Sequence, residues 1–126
     1  MLREDPMSKV LLVDDHPDLR EAMRTAMQSM GFAVITAKNG KEGVETAIIE
    51  KPDLILMDFM MPEMDGWEAS RILRANPETK DIPILAITAL FGPSDLQTCI
   101  DAGCNDYIVK PFTPDQLLKK IKALIP

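Results

Sequence analysis

The chain lacks any apolar run of about eighteen residues, the length that a membrane-spanning helix needs. Its N-terminal stretch, MLREDPMSK, has no apolar core of the kind that a secretory signal carries. The chain also has fewer positive than negative side chains, and its net charge is -6. That balance argues against a broad surface for nucleic acid or for an anionic membrane. We therefore expect a cytoplasmic protein whose partners are proteins or small ions.

Motifs for zinc, redox chemistry and nucleotides are missing as well. The two cysteines, Cys99 and Cys104, have no CxxC spacing and no histidine-rich neighbourhood, so we expect ordinary structural thiols. The single histidine, His16, is expected to be a loop residue without a catalytic role. No GxGxxG or GxxxxGK follows the first apolar run, and KNGKEG at 38–43 has the wrong spacing. A nucleotide- or flavin-binding enzyme is therefore disfavoured.

A regular alternation of two patterns fills most of the chain. Short runs rich in β-branched residues predict strands at 9–13, 32–36, 53–57, 82–88 and 106–110. Apolar residues at helical spacing predict helices at 17–30, 40–50, 66–75, 94–102 and 114–125. Strict alternation predicts one α/β domain with a parallel sheet and helices on both faces. We expect this domain to span residues 8–126, with residues 1–7 as an N-terminal tail or extension.

Polar side chains stand where four of these strands end. They are Asp14 and Asp15 for the first strand, Asp58 for the third, Thr88 for the fourth and Lys110 for the fifth. The carboxyl ends of parallel strands share one edge of the sheet, so these side chains can converge. Three clustered carboxylates repel one another unless a cation lies between them, and oxygen ligands alone favour Mg²⁺. An ammonium and a hydroxyl opposite the metal would suit a phosphoryl group on or beside Asp58, since carboxylates can form aspartyl phosphates.

Each of these residues also has a purely structural interpretation. The Asp pair before Pro17 could cap a helix, and Asp58 could belong to a turn. Lys110 could be a solvated charge and Thr88 an ordinary strand residue. The coincidence of complementary groups at four strand ends favours the functional interpretation.

With those positions in place, the sequence resembles the receiver domain of two-component response regulators over nearly all of residues 8–125. The resemblance rests on DD after the first strand, MDFMMPEMDG around the third, T-A after the fourth and YIVKPF at the fifth. It implies a flavodoxin-like, doubly wound (βα)5 three-layer sandwich whose five-stranded parallel sheet has the order 2-1-3-4-5. That order places a crevice between strands one and three, where the aspartates emerge.

The resemblance also implies a role for each residue. The implied Mg²⁺ ligands are Asp14, Asp15, Asp58 and the backbone carbonyl of Met60. The implied catalytic residues are Asp58 as phosphoacceptor, with Lys110 and Thr88 holding the phosphoryl oxygens. Thr88 and Tyr107 would form a switch that reshapes the surface of the fourth helix, fifth strand and fifth helix.

The implied activity is a phosphorylation-controlled switch. A histidine kinase or histidine phosphotransfer protein would phosphorylate Asp58, and the domain would later hydrolyse the product itself, without being a conventional small-substrate enzyme. A downstream protein would bind the switch surface, and the domain would be a monomer or a weak phosphorylation-dependent dimer. The alternative is a phosphorylation-independent scaffold. The chain either acts by protein contact or is a piece of a longer regulator or hybrid kinase.

Three finer expectations concern the loops. The Lys110-Pro111 peptide bond should be cis by the same resemblance. Pro62 and Gly66 should shape the loop after Asp58, with glycine supplying permissive backbone angles. Trp67 is expected to have a packing role.

Overall fold

A computed structural model of the chain describes residues 8–59, 66–89 and 92–125. Its strands are β1 (Lys9–Val13), β2 (Ala33–Ala37), β3 (Leu54–Asp58), β4 (Ile84–Thr88) and β5 (Asp106–Val109). Its helices are α1 (Pro17–Ser29), α2 (Gly40–Glu50), α3 (Gly66–Ala75), α4 (Pro93–Asp101) and α5 (Pro114–Leu124). The predicted elements all occur, with ends that differ by at most two residues from the prediction. In the described part of the chain, no helix is long and apolar enough to cross a membrane.

The five strands form one parallel sheet in the order β2-β1-β3-β4-β5, as predicted. The chain moves from β1 to one side for β2 and then to the other side for β3. The strand order therefore reverses between β1 and β3, the place where open α/β sheets bind ligands. The register sets Val13 beside Met57 and Asp58 beside Ile87, so the ends of these strands are level.

Alternate strand residues build two separate apolar layers, which explains the three-layer architecture. Leu11, Val13, Ile55 and Met57 pack with the inner faces of α2, α3 and α4. Their sequence neighbours Val10, Leu12, Leu54 and Leu56 pack on the other side with α1 and α5. Every residue of β3 and β4 is buried, as expected for central parallel strands covered on both faces. This rigid centre carries the sheet edge at which the polar residues lie.

Gly66 is needed for close packing and not, as predicted, for unusual backbone angles. It is the first residue of α3, and positive φ values among the described glycines occur at Gly31 and Gly103 instead. A Cβ at Gly66 would lie 2.2 Å from Cδ1 of the buried Phe59 ring. That ring also lies 4.9 Å from the half-buried Trp67 ring, centroid to centroid, in keeping with the packing role predicted for Trp67. Pro62 lies outside the described residues.

The thiol of Cys104 is expected to be unreactive in the folded protein. Cys99 and Cys104 are both buried and form no disulfide in the described part of the chain, and burial raises the pKa of Cys104 to about 12. Only the thiolate reacts with iodoacetamide, so alkylation of Cys104 at pH 8 should be at least about a hundredfold slower than in the urea-unfolded chain. Peptide mapping after timed quenching measures both rates. Equal rates in the two states would contradict the described burial.

Candidate functional site

Five of the predicted site residues lie at the carboxyl edge of the sheet, namely Asp14, Asp15, Asp58, Thr88 and Lys110. Asp14 directly follows β1, and its amide donates to the carbonyl of Ala37 at 3.1 Å. Asp58 and Thr88 are the last residues of β3 and β4 and are fully buried. Lys110 directly follows β5, and its amide donates to the Thr88 carbonyl at 2.8 Å. Strand ends and ladder hydrogen bonds therefore fix the backbone beneath each of these side chains.

Lys110 supplies positive charge next to Asp58. The Lys110 Nζ lies 3.6 Å from Asp58 Oδ2, with the lysine side chain 27% exposed and the aspartate fully buried. The following peptide bond, Lys110-Pro111, is cis, as the resemblance implies. An ammonium at this distance pairs with the carboxylate, while its exposed fraction lets it reach an anion that enters from solvent.

Asp58 also belongs to a cluster of potential metal ligands. One ligand atom from each of Asp14, Asp15, His16 and Asp58 lies within 4.8 Å of the others. Asp14 Oδ2 and Asp15 Oδ1 are buried and accept no hydrogen bond from any described residue. A buried carboxylate oxygen without a partner is costly, and three converging carboxylates repel one another.

This donor set fits a hard divalent cation. Carboxylate oxygens are the ligands that Mg²⁺ prefers, and a cation among them would satisfy both unpartnered oxygens and relieve their repulsion. We infer the fit from Asp14, Asp15 and Asp58 alone. Met60, whose carbonyl the resemblance implies as a further ligand, lies outside the described residues.

The structural alternative for the Asp pair is wrong. The N-cap of α1 is His16, and no side chain accepts a hydrogen bond there. Instead, Asp14 Oδ1 accepts the His16 amide at 2.8 Å, which closes a local turn before the helix. Arg20, one turn into α1, donates to the Asp14 carbonyl at 2.8 Å. Neither carboxylate is used to cap α1, so both remain directed to the sheet edge.

His16 lies in a loop, as predicted, but the sequence interpretation did not place it in the acidic cluster, where the structure has it. Its Nδ1 lies 3.1 Å from Asp15 Oδ1 and 3.4 Å from Asp14 Oδ1. The available signal was its adjacency to the Asp pair, since a turn of two residues returns a side chain toward the strand end.

Tyr107 lies away from this cluster, on β5. Its ring is half-buried against the core layer beneath α4, and Lys120 of α5 places Nζ 5.2 Å from the ring centroid. The same Nζ binds both carboxylate oxygens of Asp106 at 3.1 and 3.2 Å. The structure therefore places Tyr107 between a core layer and the surface that α5 forms with β5.

The profile of the response regulator receiver domain family matches residues 10–122. Among curated proteins, the probable transcriptional regulator ycf27 of Guillardia theta is 37% identical over 93% of this chain. The response regulator MprA of Mycobacterium leprae is 38% identical, also over 93% of this chain. The alignments cover 45% and 50% of those two proteins, so the chain spans about half the length of the curated relatives it matches.

Solved structures show the same fold over nearly the whole chain. The chemotaxis protein CheY4 of Vibrio cholerae aligns with a TM-score of 0.90 and 34% identity, covering 94% of this chain and 99% of that one. The receiver domain of a sensor histidine kinase from Pseudomonas aeruginosa aligns with a TM-score of 0.88 and 33% identity, covering 95% and 98%. That structure has a magnesium ion coordinated in its active site cleft.

Proposed function

This chain belongs to the response regulator receiver domains, and we propose that it is a phosphorylation-controlled signalling switch with Asp58 as the acceptor. The proposal takes residues 8–126 as the receiver domain and residues 1–7 as an extension. The observation that carries it is the placement of the buried Asp58 carboxylate 3.6 Å from Lys110 Nζ and within one cluster with Asp14 and Asp15. A carboxylate that contacts an ammonium and an acidic pair able to bind a metal ion is arranged to accept a phosphoryl group.

The chemistry is an in-line transfer from a phosphohistidine. An Asp58 carboxylate oxygen attacks phosphorus as the phosphorus–nitrogen bond breaks, and the donor imidazole keeps the bonding electron pair. Lys110 pairs with one phosphoryl oxygen, and the Thr88 hydroxyl donates a hydrogen bond to another. Asp14, Asp15, Asp58 and, by the resemblance, the Met60 carbonyl would hold Mg²⁺, which when bound would neutralise charge on the phosphoryl oxygens.

Loss of the phosphoryl group restores the starting state. A water molecule attacks phosphorus, the bond to Asp58 breaks, and inorganic phosphate leaves. Ala89, the residue after Thr88, is exposed and small, which leaves room for that water beside the site. The domain in this way catalyses both its own modification and the reversal.

The donor is a histidine kinase or a histidine phosphotransfer protein, and the output is a protein that binds the α4-β5-α5 surface. A cavity of about 270 Å³ on the β5 and α5 part of this surface is lined by Tyr107, Phe112, Gln116 and Lys120, among others. Movement of Thr88 toward the phosphoryl group would make room for the Tyr107 ring and change the shape of this cavity. We assign the domain to the cytoplasm as a monomer or a weak phosphorylation-dependent dimer.

Intact-mass measurement after incubation with acetyl phosphate tests the proposal directly. With Mg²⁺, the chain should gain one phosphoryl group, and mild base should remove it because an acyl phosphate is a mixed anhydride. With a chelator in place of Mg²⁺, the gain should fall by at least about tenfold, because the charge on the phosphoryl oxygens is then not neutralised.

No gain in mass under any of these conditions would overturn the proposal. The phosphorylation-independent scaffold would then be the better description of the chain. A gain that resists base would place the modification on a residue other than an aspartate.

A further inference from the structure

His16 lies within coordinating distance of the acidic cluster, although its side chain is 64% exposed. Its backbone is fixed by the hydrogen bond from its amide to Asp14 Oδ1. Its Nδ1 is 3.1 Å from Asp15 Oδ1, yet Asp15 Oδ1 accepts no hydrogen bond in the described part of the chain. The two atoms are close enough to form an ion pair, and the same spacing suits two groups that bind one metal ion.

The distances match those between ligands of one metal ion. Metal–oxygen and metal–nitrogen bonds of about 2.1 Å put neighbouring ligands of an octahedral ion about 3.0 Å apart and opposite ones about 4.2 Å apart. His16 Nδ1 lies 3.1 and 3.4 Å from its two carboxylate neighbours, and the whole set falls within 4.8 Å. A contraction of a few tenths of an ångström would complete the coordination.

We propose that His16 is a further protein ligand, which makes this site prefer divalent transition-metal ions such as Co²⁺, Ni²⁺ and Zn²⁺ over Mg²⁺. The inference rests on the proposed function, because the aspartates that would hold Mg²⁺ in that function are the ones that would hold the transition-metal ion here. An imidazole nitrogen adds strongly to the binding of these ions and adds little for Mg²⁺, which prefers oxygen.

Other soft ligands do not offer a competing site in the described residues. Both cysteines are buried, and Cys104 lies in the core layer beneath α4 with its Sγ 3.8 Å from the Ser70 hydroxyl. The chain contains one histidine. Binding of a transition-metal ion by the untagged folded protein therefore reports on the cluster around His16.

Isothermal titration calorimetry with Ni²⁺ and, separately, with Mg²⁺ tests the inference on untagged protein. The parent should bind Ni²⁺ at least about a hundredfold more tightly than Mg²⁺. His16→Asn should lower the Ni²⁺ affinity at least about tenfold and change the Mg²⁺ affinity by less than about threefold. Asparagine is a favoured N-cap residue, so α1 should keep its first turn. Circular dichroism of the metal-free variant checks this.

A spectroscopic measurement separates coordination from mere positioning. In the Co²⁺-loaded parent, the single imidazole should give hyperfine-shifted proton resonances, and these should vanish in His16→Asn. Unshifted imidazole signals in the Co²⁺ form would overturn the inference. Equal losses of Ni²⁺ and Mg²⁺ affinity in His16→Asn would also overturn it, since they would indicate that His16 shapes the site for either ion without binding the metal through its imidazole nitrogen.

Asp15→Asn distinguishes failure of this inference from failure of the proposed function. It should weaken binding of both ions at least about tenfold, because it removes an oxygen ligand common to them. If Asp15→Asn leaves both affinities unchanged, the acidic site itself is wrong. If Asp15→Asn weakens both and His16→Asn weakens neither, only the role of His16 is wrong.

Discussion

Asp58→Asn is expected to take up no phosphoryl group from acetyl phosphate, a loss of at least about a hundredfold in labelling against the parent. The amide that replaces the carboxylate has nearly the same shape and is a far weaker nucleophile. The position is fully buried at the end of β3 and paired in register with Ile87, so the substitution leaves the strand in place. Intact mass after incubation with Mg²⁺ and acetyl phosphate measures the effect.

The same variant should be more stable than the parent when Mg²⁺ is absent. It removes one of three negative charges whose ligand atoms lie within 4.8 Å of one another. Lys110 loses its partner but is 27% exposed, so its ammonium can be hydrated. We expect a gain of about 1 kcal/mol, or about 4 °C in Tm for a domain of this size. Mg²⁺ should then raise the Tm of the variant less than that of the parent.

Asp101→Asn is the matched control. Asp101 ends α4, is exposed, and accepts a surface hydrogen bond from Gln97 at 2.9 Å. The same chemical change there should leave labelling intact and shift the Tm by no more than about 1 °C. Base-labile labelling that persists in Asp58→Asn would show that another carboxylate is the acceptor.

The sequence was sufficient to predict the fold because its two periodicities describe two different burial environments. Central strands buried on both faces read as continuous apolar runs, and the helices show one apolar face. The end of a strand was harder to predict where the apolar run extends beyond the hydrogen-bonded part of the strand. Pro83 extends the apolar run into β4 but cannot donate to the ladder, and the strand begins at Ile84. Its carbonyl still accepts from the Ile55 amide at 2.9 Å.

The convergence of the site was equally predictable, since parallel strands bring their carboxyl ends to one edge whatever the loops do. The contacts that depend on a local turn or on a close approach in the folded chain could not be predicted from the sequence. His16 reaches the cluster through the turn that Asp14 Oδ1 closes, and no periodicity describes that turn. Gly66 is required by the Phe59 ring seven residues earlier, a contact that exists only in the folded chain.

Arg74 is the clearest case of a residue without a sequence signal. It is an ordinary position in the last turn of α3, but its guanidinium joins two loops, the one before β4 and the one before β5, at the edge of the sheet opposite the site. It donates to the carbonyls of Lys80, Ile82 and Gly103 at 2.8, 2.7 and 2.8 Å, and to Asn105 Oδ1 at 2.6 Å. Burial lowers the pKa of Arg74 from its ordinary value, and the group remains charged at neutral pH.

Asn105 extends this network into the sheet itself. Its Oδ1 also accepts a hydrogen bond from the Ile84 backbone amide at 2.8 Å, and the Asn105 backbone amide donates to the Ile84 carbonyl at 2.9 Å. The first residue of β4 is therefore fixed by the loop before β5, and that loop is held by Arg74. A substitution at Arg74 should therefore disturb the start of both β4 and β5.

Arg74→Ala is expected to destabilise the domain by about 3 kcal/mol, because several acceptors lose a charged donor at once. Urea unfolding followed by circular dichroism measures this loss as a lower midpoint. Arg71→Ala is the control, since Arg71 is exposed on the same helix and should cost less than about 0.5 kcal/mol. Arg74→Lys should recover only part of the loss, because an ammonium cannot reproduce the planar set of donors. Below its unfolding temperature, Arg74→Ala should still be labelled at Asp58 at the parental rate. Parental stability in Arg74→Ala would show that these hydrogen bonds are replaced by water without cost.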